Sequence, residues 1–258
     1  MAISLASLKR RSDRKPPRLL VYGTAGIGKT TLGTSAPKPV FIQTEDSEVG
    51  CPTFGLLRAY AEVMDAMAAL VGEDHDFKTV VLDSLDWLEP LVWHETCRVN
   101  NWTDIEKPGF GKGYVAALDT WRVLLDGFNA LRDERGMTVV LLAHCEIKRF
   151  DSPETEPYDR YQIKVQKAAS ALVQEHVDAV LFANYRVSTV KTDAGFNKRA
   201  VRGVGVGDRL LYTTERPAFL AKNRFALPDS LPLDWQTLAA GIPFYANQTQ
   251  AAMPADEE

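Results

Sequence analysis

A glycine-rich run near the start of the chain follows directly on a short apolar stretch. Residues 19–22 are Leu-Leu-Val-Tyr, and residues 23–30 read Gly-Thr-Ala-Gly-Ile-Gly-Lys-Thr. Glycines at this spacing let the backbone curl so that successive N–H groups point at phosphate oxygens. Such a loop needs a strand before it and a helix after it. The run therefore predicts a strand, a phosphate-binding loop and a helix, in that order.

The side chains of this run extend the prediction to a nucleotide, ATP, with Mg²⁺. Lys29 is expected to reach the β- and γ-phosphates, and the Thr30 hydroxyl to ligate Mg²⁺. The helix after the loop presents its positive N-terminal end to the same anion. The predicted nucleotide contacts are Gly23, Thr24, Ala25, Gly26, Ile27, Gly28, Lys29, Thr30 and Thr31, joined by Asp83 from a second motif.

The composition is that of a globular protein. Of the 258 residues, 45% are apolar and 25% are charged, so a substantial core is available. No apolar run approaches the ~20 residues of a membrane helix, and the N-terminus lacks a signal-peptide layout, which favours a cytoplasmic protein with no membrane partner. A net charge of −4 argues against coating nucleic acid by bulk electrostatics, so a DNA site has to be a local patch.

Cysteine usage indicates neither a disulfide framework nor a zinc site. Cys51, Cys97 and Cys145 are widely spaced and form no Cys-x-x-Cys pair. Buried, reduced thiols are the expectation.

Short apolar runs alternate with longer amphipathic stretches, which predicts an α/β fold with a mainly parallel sheet and helices on both faces. The predicted strands are residues 19–22, 40–43, 79–83, 138–143 and 179–183, and the predicted helices are 57–71, 85–99, 115–135 and 165–176. Beyond residue 185 the pattern changes to an antiparallel hairpin, 186–190 and 199–204, then a strand at 209–213 and a helix at 232–240. The expected organisation is a basic arm (1–17), one core (18–243) and an acidic flexible tail (244–258).

Two strand ends are predicted to bring carboxylates to the phosphates. The run Val-Val-Leu-Asp-Ser at 80–84 is expected to place Asp83 on the Mg²⁺ side, acting through bound water. The alternative is that Asp83 or Ser84 caps the next helix. Many AAA+ ATPases carry the catalytic base directly after this aspartate, where this chain has Ser84. Glu45, at the end of strand 40–43, is the alternative base that would orient the attacking water. The alternative reading of Glu45 is a surface turn of acids.

His144 follows the predicted strand 138–143. At that position an imidazole can donate a hydrogen bond to the γ-phosphate and report hydrolysis to the segment that follows. The alternative is that His144 is a polar residue at the end of a strand, with its hydrogen bonds satisfied and no role in hydrolysis.

In content and order these motifs resemble the ATPase core of RecA-like recombinases. Residues 221–228, Ala-Lys-Asn-Arg-Phe-Ala-Leu-Pro, resemble the RecA segment in which two basic residues reach the γ-phosphate of a neighbouring subunit. The resemblance implies that Lys222 and Arg224 act in trans, whereas a plain basic surface turn is the alternative. RecA has glutamine where this chain has His144, and a filament or ring is expected to form through the short arm, without a separate polymerisation domain before the loop.

The layout of residues 18–243 is also similar to the phage-borne, minimal RecA-like single-strand annealing proteins of the Sak type. The similarity includes Gly-Phe-Gly-Lys-Gly-Tyr at 109–114 and Leu-Pro-Leu-Asp-Trp at 231–235. It implies a homo-oligomer, filament or ring, which binds single-stranded DNA in the cytoplasm of a bacterial host and hydrolyses ATP in a DNA-stimulated way. A single-strand-binding protein is a further implied partner.

RecA-like proteins hold single-stranded DNA in two loops, and the resemblance assigns candidates to both. The first spans residues 98–114, where aromatic and basic side chains alternate with glycines, a composition suited to stacking on bases and pairing with phosphates. The second spans 145–162 and mixes basic with acidic side chains. The DNA-contact candidates are Arg98, Trp102, Lys107, Phe110, Lys112, Tyr114, Lys148, Arg149 and Arg160.

Two other functions fit the phosphate loop. One is a small-molecule or nucleotide kinase, which would assign no function to residues 98–114 and 222–224. The other is a subunit of a helicase-type ATPase. Stimulation of ATP hydrolysis by single-stranded DNA separates the first alternative from annealing, and sustained unwinding would favour the second.

Overall fold

The computed structural model describes residues 15–194 and 198–246, with side chains of 187–206 excluded from that description. The strands are β1 (Arg18–Gly23), β2 (Pro39–Gln43), β3 (Thr53–Leu56), β4 (Thr79–Asp83), β5 (Thr138–Phe150), β6 (Tyr158–Ile163), β7 (Ala179–Ala194), β8 (Lys198–Tyr212), β9 (Lys222–Asn223) and β10 (Ser230–Pro232). The helices are α1 (Lys29–Thr34), α2 (Tyr60–Gly72), α3 (Leu85–Asn100), α4 (Lys112–Glu134), α5 (Lys167–His176) and α6 (Trp235–Ala240).

The strands form one sheet in the order β10-β8-β7-β1-β5-β4-β2-β3. The six strands from β7 to β3 run parallel, whereas β8 is antiparallel to β7 and β10 is antiparallel to β8. Parallel neighbours require crossover connections, and each of these contains a helix except the short connection from β2 to β3. The predicted α/β class, with a mainly parallel sheet, is confirmed.

Each face of the sheet has its own apolar core, because successive strand residues point to opposite faces. On one face, side chains such as Leu20, Tyr22 and Leu141 pack against α2, α3, α4 and α5. On the other, side chains such as Val21 and Leu142 pack with residues of α1 and α6. The central parallel strands are thus buried on both sides, and their carboxyl ends form one edge of the sheet.

Two stretches beyond the carboxyl edge differ from the sequence-based expectation. Strand β5 continues through His144 to Phe150 and pairs antiparallel with β6, so most of the expected second loop, 145–162, is a β-hairpin. Strands β7 and β8 are each continuous and pair antiparallel over most of their length, so the expected separate hairpin is an extension of the sheet itself. Backbone pairing extends both strand pairs beyond the points where their apolar runs end.

The ends of the chain are partly outside the described residues. This applies to positions 1–14 of the expected basic arm and 247–258 of the expected acidic tail. Phe244 and Tyr245 lie just past the expected end of the core, yet both pack against the α1/α6 face, and the Tyr245 hydroxyl lies 2.6 Å from Thr138 Oγ1. Within the ranges described, no helix has the length and apolarity to cross a membrane.

Candidate active site

The glycine-rich run forms the turn between β1 and α1, as predicted. Gly26 and Gly28 have φ angles of 72° and 110°, in the region that glycine enters without strain. Gly23 approaches the neighbouring strand so closely that an added Cβ would lie 2.1 Å from the Ala183 carbonyl oxygen. The glycines therefore serve two separate purposes: backbone curl in the loop and close contact between β1 and β7.

The lysine and threonine of the loop are held at the carboxyl edge of the sheet. Lys29 is 6% exposed, and its Nζ donates to the carbonyls of Gly23 at 3.2 Å and Thr24 at 3.0 Å. The Thr30 hydroxyl donates to Asp83 Oδ2 at 2.8 Å. The structure thus brings together Lys29, Thr30 and Asp83, three of the predicted residues from two distant parts of the sequence.

Burial shifts the pKa values of Lys29 and Asp83. Burial lowers the pKa of Lys29 against the opposing effect of Asp83 and Asp86. Burial also raises the pKa of Asp83, with the Thr30 hydrogen bond acting in the opposite direction. Charges that have lost water without full compensation suit a phosphate next to Lys29 and a cation next to Asp83.

Mg²⁺ fits the donor set at this edge. Nowhere in 15–194 or 198–246 do three His, Cys, Asp or Glu side chains gather as a metal-binding group. Mg²⁺ does not require one, because it is commonly held by one or two protein oxygens, water and substrate phosphates. Thr30 and Asp83 would hold it here, and the ion would neutralise charge on the phosphates.

Glu45 lies at the same edge, at the end of β2. Its backbone N–H donates to the Asp83 carbonyl at 3.1 Å, and its Oε2 accepts from the Ser84 hydroxyl at 3.0 Å. Thr44 fixes the same turn, since its hydroxyl donates to the Ser84 carbonyl at 2.8 Å. The serine after the aspartate therefore orients a carboxylate supplied by the neighbouring strand.

His144 reaches the site on β5, where it is level with Gly23 of β1. Its Nδ1 lies 3.0 Å from Asp86 Oδ2 and 3.8 Å from Glu45 Oε2. Burial raises the pKa of Asp86, but hydrogen bonds from the His144 side chain and backbone outweigh it, so the net pKa is lowered. Glu45, His144 and Asp86 thus form a carboxylate–imidazole–carboxylate group next to the phosphate loop.

Asp86 was missed by the sequence-based reasoning. Its signal was present, because an acid in the first turn of the helix after a Mg²⁺ aspartate lies at the same sheet edge. Nothing in the sequence shows, however, that this carboxylate turns towards β5 and not towards its own helix.

The α/β fold and the residues at the carboxyl ends of its parallel strands define a P-loop protein. The phosphate loop, a buried aspartate and polar groups from neighbouring strands share one site there. A family model described as an AAA domain matches residues 15–225, and the chain belongs to this family of P-loop ATPases. AAA P-loop ATPases generally bind ATP with Mg²⁺. Among curated proteins, none matches the chain.

The family assignment bears on the position directly after Asp83. Many AAA+ ATPases have the catalytic base there, whereas this chain has Ser84. The chain belongs to the AAA domain family with serine at that position, so this residue does not exclude an AAA domain.

The first expected DNA segment, 98–114, contains both engaged and free side chains. Arg98 is paired with Glu95 at 2.7 Å, and the Tyr114 hydroxyl donates to Glu106. Trp102 lines a cavity of about 420 Å³ between α3 and the following turn. Phe110 is fully exposed, with φ 51°. The exposed ammonium groups of Lys107 and Lys112 have no partner among the described residues.

The second expected segment is less suited to DNA. Lys148 pairs with Glu146 at 2.7 Å and Arg149 with Asp151 at 3.6 Å. Arg160 is 6% exposed, forms an ion pair with Glu215, and donates to the Phe219 carbonyl at 3.1 Å. Because its guanidinium is buried and hydrogen-bonded within the fold, Arg160 does not present a surface charge to DNA, contrary to the expectation.

Lys222 and Arg224 lie near the amino ends of the parallel strands, whereas the phosphate loop lies at their carboxyl ends. Strand β9 pairs with Ala179 and Val180, at the amino end of β7, whereas Gly23 is level with Ala183, about 13 Å further along the strand. Lys222 Nζ donates to the carbonyls of Gln174 and Val177 at 2.7 Å each, at the end of α5. Arg224 lies 3.5 Å from Asp178, and its side chain is 54% exposed. Neither residue can reach the phosphate loop of its own chain.

Proposed function

We propose that this protein is a Mg²⁺-dependent ATPase that binds single-stranded DNA and acts in recombination or annealing as a homo-oligomer. The observation that carries the ATPase part is the convergence of Lys29, the Thr30–Asp83 pair and the Glu45–His144–Asp86 group on one edge of the sheet. These are the parts that phosphoryl transfer requires: a phosphate cradle, a cation site and a carboxylate to orient water.

The chemical step assigns each residue a role. Lys29 and the loop backbone hold the phosphates, while Glu45 orients a water for in-line attack on the γ-phosphate. His144 donates to the γ-phosphate, and Asp86 holds its ring through Nδ1.

A second subunit completes the site in this proposal. Arg224 is half exposed near the amino ends of the parallel strands, away from its own loop. Arg18, Arg132 and Arg224 each form an ion pair with Asp178, and Lys222 is close enough to interact with it electrostatically. Such an excess of positive charge suits the anionic nucleotide site of a neighbouring copy. Arg224 is the better trans residue, because the Lys222 ammonium would first have to leave its carbonyl partners.

For DNA, the support comes from the turn that leads into α4. Phe110 is fully exposed between Gly109 and Gly111, and it is flanked by Lys107 and Lys112, whose ammonium groups pair with none of the described residues. An exposed aromatic ring offers a stacking platform for a base, and lysines next to it can pair with the phosphate backbone.

The test is ATP hydrolysis by the purified protein with and without single-stranded DNA at low salt. We expect DNA to stimulate hydrolysis, and Phe110→Ala to remove most of that stimulation while basal hydrolysis is retained. Val123→Ala is the matched control, since Val123 is exposed on α4 about three helical turns beyond Lys112. Hydrolysis that does not respond to DNA would contradict the DNA part of the proposal.

One observation favours a second function, phosphoryl transfer to a small molecule. A cavity of about 620 Å³ adjoins Glu45, and Leu57, Trp87 and Pro90 provide apolar walls with Arg58 at its side. Pockets of this size and character hold small ligands. Turnover that is insensitive to DNA but requires an added phosphate acceptor would favour this function over annealing.

A further inference from the structure

Outside the motifs described above, a further arginine lies against the phosphate loop. An added Cβ on Gly28 would be 3.2 Å from Arg209 Nη1 and 3.4 Å from Leu233 Cδ2. Arg209 is more than 170 residues away in sequence, on β8. No motif in the sequence connects it with the loop, and the contact arises because β8 passes the carboxyl edge of the sheet next to β7.

The direction of the Arg209 side chain follows from the register of the sheet. Leu211 pairs with Ala183, which is level with Gly23, and Leu211 is buried in the core that also contains Ile27 of the phosphate loop. Because alternate residues of a strand share a face, Arg209 points to the same side as Leu211, two positions further beyond the edge. That side is the one on which the loop turns into α1.

The backbone that carries this arginine is fixed. The Leu233 N–H donates to the Arg209 carbonyl at 3.0 Å, and Arg209 is paired with Tyr185 across β7 and β8. The guanidinium itself is exposed and makes no hydrogen bond or ion pair with any described residue. By contrast, its neighbour in the hairpin, Arg186, lies 3.6 Å from Asp208. Arg209 is therefore a charge without a partner among the described residues, held next to Gly28 of the phosphate loop.

We propose that Arg209 binds the phosphates of the nucleotide in cis, on the α/β side. Gly28 belongs to the part of the loop whose N–H groups cradle the α- and β-phosphates, whereas Lys29 reaches the β- and γ-phosphates. The planar guanidinium is suited to bidentate pairing with phosphate oxygens. This inference rests on the proposed nucleotide site and adds a binding residue that ATP and ADP share.

Contact with the α- and β-phosphates predicts a kinetic effect that distinguishes Arg209 from groups that contact the γ-phosphate. A group that contacts only the γ-phosphate stabilises ATP and the transition state, but not ADP. A group over Gly28 contacts what both nucleotides have, so it changes KM and nucleotide affinity while kcat is retained. Arg209 thus acts in binding, separately from the trans role proposed for Arg224.

The test is titration calorimetry of the purified chain with Mg-ATP and with Mg-ADP. Arg209→Ala is expected to weaken both by about tenfold or more, the scale of a charge-assisted hydrogen bond, and Arg209→Lys to recover part of the loss. Arg186→Ala, which removes a neighbouring exposed arginine, should leave both affinities unchanged. Thermal unfolding should be the same for all variants, because both arginines are exposed.

The outcomes separate the two proposals. If the unmodified chain binds neither nucleotide, the proposed nucleotide site itself fails. If it binds both and Arg209→Ala binds them within about twofold of it, or loses ATP alone, the assignment of Arg209 to the α/β-phosphates is overturned while the nucleotide site stands.

Discussion

His144 and Asp86 are joined at two points: Asp86 Oδ1 accepts the backbone N–H of His144 at 2.9 Å, and Asp86 Oδ2 lies 3.0 Å from the His144 Nδ1. The first contact fixes the end of the strand, and the second fixes the imidazole ring. Asp86 is nearly buried, with its side chain 3% exposed, whereas that of His144 is 20% exposed. The carboxylate therefore holds in place a ring whose residue is level with Gly23, the first residue of the phosphate loop.

This pairing predicts a specific kinetic defect. Asp86→Asn should lower kcat for ATP hydrolysis by about tenfold to a hundredfold, because the ring loses its anionic partner, while KM changes little. Steady-state kinetics measures both constants. Asp119→Asn, at an exposed ion pair with Arg122, is the control. A rise in KM with kcat unchanged would show that Asp86 supports binding and not the chemical step.

Asp83 should separate activity from stability. Its pKa is raised by burial, so at neutral pH its ionised form costs folding energy that Asn does not. Asp83→Asn should therefore lower Mg²⁺-dependent hydrolysis by about a hundredfold or more, while the melting temperature without nucleotide stays the same or rises. Scanning calorimetry and an ATPase assay provide the two readouts. A large loss of stability would mean that Asp83 is a structural residue.

Gly23→Ala should destabilise the fold, because the new methyl would lie 2.1 Å from the Ala183 carbonyl oxygen, where only backbone movement can make room. We expect a loss of roughly 2–4 kcal/mol in the free energy of unfolding. Gly72→Ala is the matched control: Gly72 ends α2, and nothing lies within 4 Å of an added Cβ. Urea denaturation compares the two, and equal stabilities would disprove the close approach of β1 and β7.

Glu89 predicts a pH dependence of stability. Burial raises its pKa to about 7, against the opposing effect of the Gln166 backbone N–H, which it accepts at 2.9 Å. A raised folded-state pKa contributes stability that is complete below about pH 4.5 and is lost as pH rises towards 7. Glu89→Gln should reduce that loss, by roughly 1–3 kcal/mol at pH 8. Melting temperatures from pH 4.5 to 8 measure it, and parallel curves for the two proteins would contradict the assignment.

The sequence predicted the centre of the fold well, for a physical reason. The central strands are apolar runs buried on both faces, and the phosphate loop requires glycines in a fixed order, so local residue types carry the signal. The predicted strands placed Asp83, Glu45 and His144 at the carboxyl ends of the sheet. The loop motif placed Lys29 and Thr30 there.

The remaining parts depend on contacts between distant segments. No local pattern shows that β5 continues past His144. Nor does one show that Arg160 is buried against Glu215, since the residues next to Arg160 in sequence are mostly polar. Asp86 and Arg209 lie outside every motif, and each enters the site through pairing with another strand or turn. Long-range pairing, and not residue type, decides such positions.

If a neighbouring copy completes each ATP site, two variants that are inactive alone should restore activity when they are mixed. Lys29→Ala removes the phosphate lysine in cis, and Arg224→Ala removes the arginine proposed to act in trans. In mixed oligomers some interfaces join an intact loop to an intact Arg224. We expect each variant alone to be nearly inactive and the mixture to regain ATP hydrolysis. A mixture that is no more active than the sum of its parts, or an Arg224→Ala variant that is fully active alone, would contradict it.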